Sequence, residues 1–107
     1  MNNIKQIRLS KNDFIVDYDT SSLKLNYKNE DNRYVIDISQ MNLINATKIA
    51  ILCSTYCFLN NFKKKLCWLV KDEETRQAIS ILRLKNIEQQ IATNITEERT
   101  ALISWNY

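Results

Sequence analysis

A chain of 107 residues suits one domain and leaves little room for a second. Folding would bury roughly 60–70% of its unfolded surface, enough for one core without covalent staples. With 45% apolar and 25% charged residues it has the make-up of a globular protein. A formal charge of +3, from 15 basic and 12 acidic residues, is too small to indicate a nucleic-acid partner.

The chain has no histidine, glycine or proline. Glycine-rich phosphate loops and dinucleotide fingerprints are therefore excluded, so no cofactor is expected. Three cysteines, Cys53, Cys57 and Cys67, are an odd count in apolar surroundings. With no histidine beside them they argue against a disulfide framework or a zinc site, and for buried, inert thiols. Turns that need a left-handed residue must fall to asparagine or aspartate. Asn12–Asp13, Asp31–Asn32, Asn60–Asn61, Asn86 and Asn94 stand at suitable places.

The first residues, MNNIKQIRLS, lack the hydrophobic stretch of a signal peptide. The longest apolar run, Ile49 to Leu59, is broken by Ser54 and Thr55 and falls far short of the ~20 residues of a membrane span. A cytoplasmic protein that does not span a membrane is expected.

In chain order, Ile4 to Leu9 alternates apolar and polar residues, as does Phe14 to Tyr18 more weakly. With Asn12–Asp13 between them the two predict a hairpin. Asp19-Thr20-Ser21-Ser22 reads as a helix start, with Leu23 and Tyr27 four apart. Leu23, Leu25 and Tyr27 also alternate, so Ser21 to Glu30 fits a third strand as well. Tyr34 to Ile38 predicts a central strand. Ala46 to Phe62 predicts a helix with Ile49, Leu52, Cys53 and Tyr56 inward and Ala50, Cys57 and Phe58 close by. Lys63 to Lys65 would suit the dipole at its end. Leu66 to Val70 predicts a second near-continuous apolar strand. Asp72, Glu73 and Glu74 open a further helix, with Ala78, Ile79 and Leu82 inward. Ile87 to Ala92 predicts an edge strand. Asn94 with Glu97 forms a capping-box pattern before a last helix docked by Leu102 and Trp105. Strands alternating with helices predict a single α/β domain with a mostly parallel five-stranded sheet and about four helices.

The stretch Val35 to Leu52, VIDISQMNLINATKIAIL, passes from apolar strand to polar turn to apolar helix, with Asn45, Ala46, Thr47 and Lys48 at the junction. Free N–H groups and the helix dipole favour an anion at such a turn. Thr47, near the first helical turn, is a candidate phosphoacceptor.

Taken together these segments resemble the STAS domain, the family named for sulphate transporters and anti-sigma factor antagonists. Asn45-Ala46-Thr47-Lys48-Ile49 is similar to that family's Asp-Ser-Ser-Gly-Leu box. Leu66 to Val70 stands at its next core strand, and Leu82 to Ile87 resembles its helix-ending segment, with Asn86 in place of glycine. Thr93 to Ala101 resembles its C-terminal helix. Asp17-Tyr18-Asp19 resembles the acidic end of its second strand, which favours the helical reading of Ser21 to Glu30. The resemblance implies a non-enzymatic regulator of transcription that binds a kinase-type anti-sigma factor, with a homodimer left open. Phosphorylation of Thr47 would break that contact, because a phosphate adds about −1.5 to −2 charges. Asp19, Asn45, Ala46, Thr47 and Lys48 would form the partner-binding residues. Asn45 replaces the box aspartate and Lys48 the glycine after the phosphoacceptor. Those departures motivate an alternative, an accessory subunit of a larger complex such as a lipid-transporting ATPase. No nucleophile has a recognisable base beside it, so no enzyme is expected.

Overall fold

The computed structural model describes residues 4–92. Six strands form one sheet in the order of the chain: β1 (Ile4–Leu9), β2 (Asp13–Tyr18), β3 (Ser21–Asn29), β4 (Arg33–Asp37), β5 (Lys65–Val70) and β6 (Ile87–Ile91). The first four pair antiparallel as a meander. β4, β5 and β6 are parallel, joined by helices α1 (Leu43–Leu59) and α2 (Glu73–Ser80).

Strand alternation sends one set of side chains into a single core. Phe14, Val16, Leu25, Ile36, Leu66, Trp68 and Val70 meet Ala46, Ile49, Ala50, Cys53 and Cys57 of α1 and Ile79 of α2. Trp68 is fully buried, and its indole N–H donates to Ser54 Oγ at 2.9 Å. The hydroxyl that interrupts the apolar run of α1 thus satisfies the one polar atom of the largest core side chain. Phe14 lies edge-on to Trp68 and to Tyr27. The first hairpin and the two parallel strands after it form as the sequence predicts.

Sheet and helix content differ from expectation. The sheet is mixed and six-stranded rather than mostly parallel and five-stranded, and the described residues hold two helices. The decisive segment follows Asp19, where Ser21 to Glu30 was expected to be helical. Tyr18 pairs with Ser21 across a two-residue turn, and Asp19 takes a left-handed φ of 49° there. A strand lets Leu23, Leu25 and Tyr27 all face the core. A helix would bring only Leu23 and Tyr27 to one face. The expected last helix, with Asn94, Glu97, Leu102 and Trp105, lies outside the described residues.

Helix α1 begins three residues before its predicted start. Asn42 is the N-cap, its Oδ1 accepting the Asn45 N–H at 2.8 Å, and Ala46 N–H donates to the Asn42 carbonyl. Both asparagines could cap; the earlier one gains an extra turn of backbone hydrogen bonds and directs Ala46 and Ile49 inward. Its end is equally specific. Asn61 takes φ 57°, Asn61 N–H donates to Phe58 O and Phe62 N–H to Cys57 O, a Schellman motif closed by Phe62 against Tyr56. Lys63 to Lys65 therefore lie beyond the helix. Lys64 Nζ instead donates to Asn29 Oδ1 at 2.5 Å and Glu30 O at 2.7 Å, over the Tyr34 ring.

Asp72 caps α2, accepting from Thr75 N–H and Thr75 Oγ. The helix stops at Ser80, so Leu82 is exposed rather than inward, and Leu84 packs on the core in its place. Phe58, expected near the inner face of α1, is exposed as well.

Candidate functional site

The parallel arrangement of β4 and β5 puts the start of α1 at the carboxyl end of the sheet, the usual side for sites in α/β folds. Asp37, the last residue of β4, accepts from Ser39 N–H at 2.8 Å and Ser39 Oγ at 2.5 Å, fixing the turn into the helix. Because β3 runs antiparallel to β4, the Asp19-Thr20 turn reaches that same end.

Five residues were singled out in the sequence as partner-binding, and the structure distributes them. Asp19 is exposed in its turn, and Ala46 is 1% exposed, packed into the core. Asn45, Thr47 and Lys48 sit on the first two turns of α1 but face different surroundings. Thr47 lies five positions after the cap, inside the hydrogen-bonded ladder, so the free N–H groups of the helix start are not beside it.

Asn45, Lys48, Ile49 and Leu52 recur at helical spacing along one stripe. That stripe closes a cavity of about 220 Å³ between α1 and the β1–β3 meander. Ile4, Val16, Leu23 and Met41 complete its apolar wall, and Tyr18, Asn45 and Lys48 are its polar residues. Among the described residues, ion pairs involve Arg8, Arg33, Lys65 and Arg76; the Lys48 ammonium has none.

A second stripe, Leu43, Ile44, Thr47 and Ile51, forms a shallow apolar depression on the outward face of α1. Ile44 is 76% exposed and Leu43 lies in the open beside it. Thr47 Oγ is shielded from solvent by its neighbours and has no hydrogen-bond partner among the described residues. Toward the other end of the helix Phe58 and Leu59 are exposed too. The sequence reading missed this face. Its signal was the breadth of the apolar positions between Leu43 and Leu59, Leu43, Ile44 and Ile51 among them, more than one buried stripe requires.

The cysteines are buried, as the sequence predicts. Burial pushes the Cys57 thiol up to about 12 and raises Cys53 and Cys67 as well. They are poor nucleophiles in this state. Arg33 bridges Glu30 at 2.6 Å and Glu88 at 2.9 Å, tying the β3–β4 turn to the edge strand. The described residues contain no cluster of three or more histidine, cysteine, aspartate or glutamate side chains placed to hold a metal. No described helix is long and apolar enough to cross a membrane.

No family model, curated protein or solved structure matches this chain. Its function is therefore argued from the two sides of α1.

Proposed function

We propose that this chain is a non-enzymatic partner-binding domain that docks through the outward face of α1. The observation that carries this reading is the stripe Leu43, Ile44, Thr47 and Ile51, left uncovered by the described residues on a helix whose opposite side already fills the core. The resemblance to anti-sigma factor antagonists supports a kinase-type anti-sigma factor in the cytoplasm as the partner, with Thr47 at the centre of the contact.

One observation favours the second reading, a standing subunit of a larger assembly such as a lipid-transporting ATPase. Thr47 Oγ is shielded from solvent, so a kinase would need the side chain to turn outward before transfer. A mainly apolar face also suits an interface that stays closed.

Affinity capture with the tagged chain tests the docking reading. Wild type should retain a kinase-type anti-sigma factor or a transporter ATPase, and Ile44→Asp should lose it without a change in melting temperature. Equal recovery by both forms would refute docking through this face. Phosphate mapping after incubation with the captured kinase and ATP separates the readings. A label on Thr47 supports the switch, and its absence supports the standing subunit.

A further inference from the structure

We infer that the cavity between α1 and the β1–β3 meander is a binding site for a small monocarboxylate with an apolar tail, such as a medium-chain fatty acid. The walls are aliphatic or thioether groups, those of Val16, Leu23, Met41, Ile49 and Leu52. An apolar tail entering it removes surface from water on both partners. At about 220 Å³, the cavity holds the volume of about seven water molecules, which suits a chain of about seven methylene-sized groups and excludes a drug-sized ligand.

The polar groups determine which end group such a ligand carries. Among the described residues Lys48 is the sole charged one lining the cavity, and it has no ion-pair partner there. Asn45, one turn earlier on the same stripe, and Tyr18 are the other polar residues of the lining. A lining with one cationic side chain and no anionic one favours a carboxylate over an amine. The early start of α1 brings Asn45 into the helix, one turn before Lys48. With Asn42 as cap, both residues fall on the stripe over β2 and β3.

This site is distinct from the outward stripe that carries the docking reading, although Lys48 and Leu52 border both. Titration of the methyl-labelled chain with sodium octanoate, followed by NMR, tests it. Saturable shifts are expected at the methyl groups of Val16, Leu23, Met41 and Ile49, with Ile44 unmoved. Octylamine should bind at least tenfold more weakly than octanoate. Lys48→Met should weaken octanoate about tenfold, the loss of one charge-assisted contact, and Lys48→Arg should restore most of it. Lys48 is exposed, so neither variant threatens the fold. Absence of saturation, equal binding of octylamine, or shifts centred on Ile44 would overturn the assignment. Ile44→Asp should bind octanoate as wild type does, so failure of the docking reading and failure of this one are separable.

Discussion

Single atoms account for several features that composition alone leaves unexplained. Ser54 looks like a flaw in an apolar helix, yet its hydroxyl is the acceptor for Trp68 at the centre of the core. Ser54→Ala should lower stability by about 1–3 kcal/mol in urea denaturation, the cost of an orphaned buried donor. Thr47 presents the opposite case, a shielded hydroxyl without a partner among the described residues. Thr47→Val keeps its shape and removes the unpaired group, so stability should be unchanged or rise by up to about 1 kcal/mol. A marked loss would mean that the hydroxyl makes a contact in solution. Among the described residues the lack of glycine is met in part as the sequence suggests: Asn61 and Asn86 occupy left-handed positions, Asn12–Asp13 and Asp31–Asn32 do not, and Asp19, read as part of a helix start, does. The fourth is Arg83 at φ 50°, which no turn rule anticipates. Arg83→Gly should remove about 1–2 kcal/mol of left-handed strain against about 0.5–1 kcal/mol of added chain entropy. The net gain should raise the melting temperature by a few degrees.

At the level of elements, what the sequence conveys depends on how many patterns a segment satisfies. β5 reads clearly because an unbroken run from Leu66 to Val70 fits only a buried strand of that length. Ser21 to Glu30 satisfies both periods, and only the partner strands decide between them. Helix α1 was legible in existence and in its inward Ile49, Ala50, Cys53 and Cys57, but not in its start, because Asn42 and Asn45 are equally good caps. Neighbouring positions on a helix point about 100° apart. Asn45 and Lys48 consequently face the cavity while Thr47 faces outward, a separation that a linear motif does not reveal. In the first hairpin, Arg8 and then Ser22 hydrogen-bond Asp17 and hold its carboxyl down to about 2. A carboxyl lowered in the folded state contributes its full stabilisation above the ordinary range near about pH 4, and loses it as pH falls through about 2. Asp17→Asn should therefore flatten the acid limb of the stability profile between those values, as followed by circular dichroism. An unchanged limb would place the acid sensitivity elsewhere.

On the scale of the whole molecule, a mixed sheet with helices from its parallel half leaves α1 as the element that meets both the meander and the surroundings. Its inner side closes the core, one flank closes the cavity, and its outward side remains apolar. The resemblance to STAS domains directed attention to Asn45–Lys48, and the geometry moves the emphasis from a phosphate-ready turn to the helix face around Ile44. Burying a side chain as exposed as Ile44 is worth about 1.5–3 kcal/mol. A carboxylate there should reduce affinity by at least tenfold. The most direct test is a fluorescence titration of the captured partner with wild type, Ile44→Asp, and a control substitution, Lys24→Asp, on the meander. The account predicts a loss of at least tenfold for Ile44→Asp alone. Equal affinities for Ile44→Asp and wild type, or a comparable loss for Lys24→Asp, would contradict it.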